Sequence, residues 1–479
     1  MRTDEFFRAS GRIPSWAAAV SIYATIISSV TYLTIPAKAF ATDWTYYPML
    51  LTIPMVVPLV TRRYMPYFQR SGCSSAYELL ERRFSPLTRW MASGLFCIYM
   101  VVRIALVLYL PALALSTVAG WSIVMCIVLV ALPTMIYSAI GGLKAVIWAD
   151  AIQGIILIGG AVLCLGILMF SMPEGPMQTF DLAINSPQGN KFSLGEFTGD
   201  LTTSTFWVCL IYGIFINLQN YGIDQNYVQR YHAAKTDKDA KFSALFGGYL
   251  FIPVSALFFL IGSALYSYYQ SGVAQLPADI AAKPDYVFPY FIVNGLPVGL
   301  RGLLIASIFA AGMSTVSTSV TSAATIILTD YARPFFLKAR KVKDQLMHHD
   351  PEVHHARHKK MELAVVRLSS VGVGLLGAVV AIAMLSVESI IDAWWTLSSI
   401  FSGGMLGLFL LGCISRKINR VAAFIGCICG VLVIAWISLA GLWNLPGIHL
   451  HEYLAIVLGT CTIFLVGFLL TYLFKGKQV

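Results

Sequence analysis

Between residues 309 and 331 the chain reads FAAGMSTVSTSVTSAATIILTDY, an apolar stretch with hydroxyls at Ser314, Thr315, Ser317, Thr318, Ser319, Thr321 and Ser322. Ala311, Ser314, Thr315 and Thr318 follow i, i+3, i+4, i+7 spacing and so share one helical face. Neutral oxygens in a row, beside freed backbone carbonyls, suit a small hard cation without a costly cluster of charges. The same residues also suit plain helix packing, because small side chains let backbones approach and Ser or Thr can bond back to the preceding turn. On this segment alone both readings stand.

Two buried charges bear on the choice. Asp150 lies within the apolar run LKAVIWADAIQGIILIGG. An ionised carboxylate in such a span costs on the order of 2.5–3.5 kcal/mol unless it is paired. A bound cation would offset that cost; a protonated Asp bonded between helices is the alternative. Arg103, in CIYMVVRIALVLYLPALAL, has no acidic residue in its own helix. Guanidinium grips a carboxylate in two-pronged geometry, so Arg103 is expected to receive an anionic group of a solute, against a structural pair with another helix. In INLQNYGIDQNYVQRY, the amides Asn217, Gln219 and Asn220 suit sugar-like hydroxyls or the capping of a helix end. No HExxH, GxSxG or P-loop occurs, so metalloprotease, serine hydrolase and ATP-driven pump all lack their machinery. What remains is a carrier driven by an ion gradient, and not an enzyme.

The elements that must position these residues are membrane helices. The chain has 479 residues, 58% of them hydrophobic and 12% charged, with a mean hydropathy of +0.74. That composition excludes a soluble globular or disordered chain and predicts an all-α polytopic membrane protein. Runs of ~20 apolar residues predict twelve spans, beginning near residues 13, 46, 88, 121, 143, 203, 242, 290, 363, 391, 420 and 453. Nearly all loop Lys and Arg fall on one side of that arrangement, in TRRYMPYFQR to ERRF, GGLK, VQRYHAAKTDKDAK, the 331–361 loop, SRKINR and KGKQV. Both termini are therefore expected in the cytoplasm. The net charge of +10 is read as this orientation signal and not as a nucleic-acid surface. No cleavable leader is expected before the first span. The nine cysteines are scattered and read as apolar fillers, and Cys427 and Cys429 point to different sides of a helix. His354 and His358 could hold a metal if helical, but a solvated loop is the expectation.

Helix breakers recur. In IYATIISSVTYLTIPAKAF, residues 22 to 40, Ser28, Ser29, Thr31 and Thr34 precede or flank Pro36, which removes a backbone donor in a segment with no water to replace it. Pro48 in the second span and SGGM at 402–405 in the tenth are further breakers. Interrupted spans recurring in two halves point to a transporter built from inverted repeats.

Four blocks in this order, GRIPSWAAAVSIYATIISSVTYLTIPAKAFATDW, GGLKAVIWADAIQG, QNYVQRY and GLLIASIFAAGMSTVSTSVTS, resemble the sodium:solute symporter family, most closely its bacterial sialic acid symporters. The resemblance implies a single domain over 1–479 with a LeuT-type fold. Five-plus-five inverted repeats would occupy about 13–170 and 203–413, with extra C-terminal helices at about 420–475. It implies Na+ as coupling ion, with no organic cofactor. One sodium site would use Ala24, Ile27, Ala311, Ser314 and Thr315; a possible second sodium would use Asp150, Ser317 and Thr318. The substrate carboxylate would be held by Ser28, Thr31 and Arg103, with Tyr46 and Asn217 completing the substrate set. There are departures. Where those relatives carry a Thr before the first-helix serines this chain has Ile26, and where they carry a Gln in the second span it has Leu50, which makes the pocket more apolar. Relatives are also expected to carry one more helix before DEFFRASGR. The implied protein is a monomer in a bacterial inner membrane, surrounded by lipid. It would import a small anionic solute such as sialic acid and have no dealings with nucleic acid. A neutral sugar or other small metabolite, with Arg103 structural, is the alternative, ahead of a channel or sensor on the same fold.

Overall fold

A computed structural model describes residues 6, 9–71, 73, 75–335, 351–384, 403–413, 420–440 and 450–473. The first span is a broken helix, α1 (Ser15–Ile26) and α2 (Ser29–Ala41), bent by 61°. A 3-10 turn (Tyr47–Thr52) leads into α3 (Ile53–Ser71), then come a short α4 (Glu78–Arg83), α5 (Pro86–Ala119), α6 (Ile123–Phe170) and a surface helix α7 (Gln178–Ile184). The chain continues through α8 (Phe206–Ile223), α9 (Gln225–Ala233), α10 (Asp237–Gln270), α11 (Val287–Asn294) and α12 (Val298–Ile326), which runs into a π-helical turn (Ile327–Ala332). It ends in α13 (Pro351–Ala383), α14 (Gly403–Cys413), α15 (Arg420–Ala440) and α16 (Tyr453–Leu473). Among the described residues the β pairing is a single bridge between Ile13 and Ala234.

Eight of these helices are long and apolar enough to cross a membrane, and the bent pair makes nine. The 48-residue α6 is two spans: at ~1.5 Å per residue it would be about 72 Å long, twice what a bilayer core needs. Gly142 divides it, with φ 58° and ψ −154°, where the sequence predicts the fifth span to begin near 143. The number is then ten. The second predicted span is the 3-10 turn plus α3, whose Arg62, Arg63, Pro58 and Pro66 make it less apolar than the rest. Most of the span expected near 391 lies outside the described residues, apart from α14, and so do the side chains of His354 and His358.

The break in the first span is not where its proline pointed. Pro36 sits inside α2, where Gly262 of α10 packs so closely that an added Cβ would lie 2.3 Å from the Pro36 carbonyl oxygen. The helix stops instead at Ile27 and restarts after Ser28. β-Branched Thr25, Ile26 and Ile27 weaken the last turn, and Ser28 caps the new helix by accepting from Thr31 N at 3.2 Å. The sixth span ends within INLQNYGIDQNYVQRY, as the sequence predicts, where α8 gives way to α9. There Asp224 N donates to Gln219 O at 3.1 Å and Asp224 Oδ1 accepts from Asn226 N at 2.7 Å.

Two apolar cores result. One is built on α5, the first half of α6, α12 and α13; the other joins α1, α2, α3 and α10 with the second half of α6. Between them runs a polar seam in which Ser21, Asp150, Gln225, Gln229, Arg230, Ser314, Thr318, Ser322 and Thr325 are all buried. Every residue of α9 except His232 is buried too, although its sequence QNYVQRYHA is largely polar. Polar groups out of contact with solvent must find partners in one another, and they decide where the halves meet. A second buried knot closes the end of α12. In the π-helical turn, Asp330 accepts from Arg89 Nη2 at 2.7 Å, Ser75 Oγ at 3.0 Å and Thr329 Oγ1 at 2.8 Å, while Arg89 Nη1 reaches Glu81 at 2.5 Å.

Candidate functional site

The broken helix supplies the site's two ends. The last carbonyls of a helix have no N–H four residues on, and the first N–H groups of the next have no carbonyl behind them. Here the carbonyl end of α1 and the amide end of α2 face the same gap, so one favours a cation and the other an anion.

On the carbonyl side, Ser314 Oγ of α12 lies 3.2 Å from Ala24 O and 2.8 Å from Asp150 Oδ1. Thr315 Oγ1 donates to Ala311 O at 3.2 Å. Ile27 is fully buried at the break, its N–H closing the last turn on Tyr23 O at 3.3 Å. Ser314 thus links α12 to Ala24 O at the end of α1, whereas Thr315 and Ala311 are paired within α12 itself. Among the described residues no group of three or more His, Cys, Asp or Glu could hold a metal, so any cation at this place relies on neutral oxygens and Asp150.

On the amide side, Ser28 Oγ and Thr31 Oγ1 stand 3.1 Å apart at the start of α2. Ser29 Oγ donates to Val107 O at 2.8 Å and ties α2 to α5. From α5, four residues before Val107, Arg103 reaches across to α1, its Nη2 donating to Thr25 O at 3.1 Å. Among the described residues Arg103 takes part in no ion pair, whereas Arg89 and Arg230 both do.

Asp150 is completely buried and accepts from Ser21 Oγ at 2.7 Å, from Arg230 Nη2 at 2.7 Å and from Ser314 Oγ. Arg230, equally buried, donates from Nε to Ser21 Oγ at 2.8 Å, from Nη1 to Asn226 O at 2.7 Å and from Nη2 also to Thr318 Oγ1 at 2.7 Å. Its guanidinium therefore stands between Asp150 and Thr318, two residues that the sequence grouped around a second sodium. Ser317, the third, turns back to Ser314 O at 2.9 Å. Within the hydroxyl stripe, Thr315, Ser317, Thr321 and Thr325 bond back along α12 as in plain helix packing, while Ser314 bonds Ala24 O and Asp150 and Thr318 accepts from Arg230.

The two remaining candidates lie along the second and sixth spans. Asn217 Nδ2 donates to Met49 O at 3.1 Å and to Thr52 Oγ1 at 3.0 Å, so its amide hydrogens hold the 3-10 turn of the second span. Tyr46 carries Lys38 Nζ 4.9 Å over its ring and faces Tyr453 at 5.8 Å, with Tyr212 stacked on Tyr453 at 4.3 Å. Leu50 is buried, and Ile26 packs against the same apolar core. Sequence reasoning missed the partner of Asp150. No local signal joins QNYVQRY to Asp150, which lies 80 residues from Arg230.

Residues 6–430 match the profile of the Sodium:solute symporter family, and the chain belongs to that family. It is 33% identical over 477 residues to the sodium/sialic acid symporter NanT of Aliivibrio fischeri, covering 99% of this chain and 88% of that one. It is 34% identical over 480 residues to the sodium/sialic acid symporter SiaT of Proteus mirabilis, covering 99% and 91%. A solved Na+-coupled sialic acid symporter, substrate-bound and outward-open, superposes with a TM-score of 0.86 at 32% identity over 99% of this chain and 93% of that one. The nucleobase-cation symporter Mhp1 shares the fold alone, with a TM-score of 0.61 at 12% identity over 98% and 95%. The protein is thus a multi-pass inner-membrane symporter of LeuT-type fold coupled to Na+, and a transporter instead of an enzyme.

Proposed function

We propose that this symporter imports a small carboxylated solute of the sialic acid class together with sodium. The observation that carries the proposal is Arg103: a guanidinium beside the helix break, in no ion pair among the described residues, opposite hydroxyls at a helix N-terminus. A carboxylate there would meet Arg103, Ser28, Thr31 and the amide end of α2. Sodium would take Ala24 O, Ile27 O, Ala311 O, Ser314 Oγ and Thr315 Oγ1, joining α1 to α12. A second sodium at Asp150, Ser317 and Thr318 requires that Arg230 first leave the position it holds between Asp150 and Thr318. Tyr46 and Asn217 border the solute from the second and sixth spans.

The repeats are read as 13–170 and 203–413, the first opening on the broken helix α1/α2 and the second on α8. Extra helices follow at about 420–475. Both termini are read as cytoplasmic from the loop charges, and the working unit as a monomer in lipid. Sodium binding first fastens α1 to α12 and completes the solute pocket; the loaded protein then exchanges outward for inward access.

Ile26 and Leu50 favour a second reading of the solute, a carboxylate with fewer hydroxyls than a sialic acid, because apolar walls leave hydroxyls unpartnered. Uptake of radiolabelled N-acetylneuraminate and of a short monocarboxylate into proteoliposomes, with and without an inward sodium gradient, separates the two. Sodium-driven uptake of neither, with uptake of a neutral sugar instead, would make Arg103 structural and overturn the carboxylate reading.

A further inference from the structure

Asp150 of α6 joins three other elements. Through Ser21 it holds α1, through Arg230 it holds α9, and through Ser314 it touches the oxygens proposed for sodium. Ser314 has one hydroxyl proton and two acceptors within reach, Ala24 O and Asp150 Oδ1. A cation on Ala24 O and Ser314 Oγ repels that proton from the Ala24 side and leaves Asp150 as its acceptor. Without the cation, the proton is free to turn to Ala24 O, and Asp150 loses a donor.

We infer that Arg230 is a positioning residue through which sodium occupancy is transmitted to α9. While Arg230 keeps its place and no second ion has entered at Asp150, sodium on Ala24 O and Ser314 Oγ commits the Ser314 proton to Asp150, the carboxylate is thereby fixed toward Arg230 and Ser21, and α9 is clamped against α12. The other side chains of α9 along the same contact follow it: Gln229 Nε2 bonds Thr325 Oγ1, Ser322 Oγ donates to Gln229 Oε1 at 3.2 Å, and Gln225 Oε1 accepts from Ala76 N at 2.8 Å. Any path that opens along this seam must part those bonds together. Loss of sodium loosens the clamp at Asp150, so the parting becomes easier once the ion has gone.

This inference rests on the sodium site read above, and the test reads the two separately. Hydrogen exchange of the Gln225–Ala233 amides is followed by mass spectrometry on the full chain in detergent, in sodium and in an equal concentration of choline, beside the sodium-induced shift in thermal midpoint. In the wild type, sodium slows exchange of these amides and raises the midpoint. Arg230→Gln changes a residue outside both proposed sodium sets; it keeps a donor for Asp150 and removes the guanidinium that also reaches Asn226 O and Thr318 Oγ1. It is expected to keep the midpoint shift, because Ala24, Ile27, Ala311, Ser314 and Thr315 remain, and to lose the sodium-dependent slowing at α9. Arg230→Lys, which keeps the charge, should restore part of it. Persistence of the slowing in Arg230→Gln overturns the inference. Loss of both readouts overturns it too, because Arg230 would then support the ion's site itself instead of relaying from it. A midpoint shift absent in the wild type would refute the sodium site itself.

Discussion

The Asp150–Arg230 pair gives the sharpest stability prediction. Both side chains are fully buried and lie 2.7 Å apart. Removing one partner strands the other charge, a loss of about 3–5 kcal/mol, whereas replacing both by groups of similar volume is often neutral or better. The structure places Arg230→Met toward the upper end of that range, since Asp150 would keep only two hydroxyl donors, Ser21 and Ser314. Asp150→Ala falls toward the lower end, because Arg230 retains Asn226 O, Thr318 Oγ1 and Ser21 Oγ. An unfolding entropy of about 2.1 cal/mol/K per residue over 479 residues is about 1 kcal/mol/K, so each single substitution should lower the thermal midpoint by about 3–5 °C. Asp150→Asn/Arg230→Met should return to within about 1 °C of the wild type. The cycle is read by thermal unfolding in detergent, in choline so that sodium binding does not enter. A double variant as unstable as the sum of the singles would refute the reasoning, since it would mean the residues act separately and not as a neutralised pair.

Three further outcomes follow from the same geometry. Arg103→Ala should abolish uptake of a carboxylated solute while leaving the sodium-induced midpoint shift in place; unchanged uptake would remove the anion receptor from the mechanism. Ser314→Ala and Thr315→Ala should each raise the sodium concentration for half-maximal uptake by about 10-fold or more, the worth of one ligand to a charged group at ~1.5–3 kcal/mol; an unshifted sodium curve for both would place the ion elsewhere. His451, in the loop before α16, accepts from Tyr453 N on Nδ1 at 3.3 Å, and burial, with Lys38 adding to it, holds its imidazole below the ordinary 6.5. The native state thus binds fewer protons there than the unfolded chain, so this contribution is intact above pH 6.5 and is lost as pH falls through the native value. Protection of the first α16 amides, measured against the intrinsic exchange rate at each pH, should fall on acidification in the wild type, and His451→Asn, which retains an acceptor, should flatten that dependence.

What could be read from the sequence had a local cause. The α12 stripe follows from spacing, the fifth span from the apolar run after GGLK, and the need of Arg103 for a partner on another element from the lack of any acid in its own helix. The break at Ile27–Ser28 was partly hidden because no Gly or Pro makes it. A β-branched run followed by a capping Ser is common in unbroken helices as well, and only packing decides between the two. Pro36 misled in the opposite direction, since a proline is tolerated when its neighbours fit closely, as Gly262 does. Long-range partners were beyond reach: Arg230 lies 80 residues from Asp150, and Arg89 lies 241 from Asp330. Asp150 announced that it needed a partner without naming which base would arrive.

The coupling of sodium to solute follows from how few atoms separate their proposed places. Ala24 O faces Ser314, and the next carbonyl, Thr25 O, accepts from Arg103. Sodium therefore pulls on one carbonyl of the α1 end while the anion receptor is anchored on its neighbour. An ion that orders this end also fixes Arg103 for its carboxylate. The two charges also offset each other across the break: a carboxylate entering a site that holds Na+ meets a favourable field that it would not meet in the empty one, and the reverse is equally true. Linkage then requires that the factor by which sodium raises solute affinity equal the factor by which solute raises sodium affinity. Binding isotherms taken both ways should agree on that factor, and Arg103→Lys, which leaves a charge but removes the fork that spans both partners, should reduce it in both directions alike. A reduction seen in only one direction would violate the cycle and show that a third event, such as opening of the seam at α9, had been counted as binding.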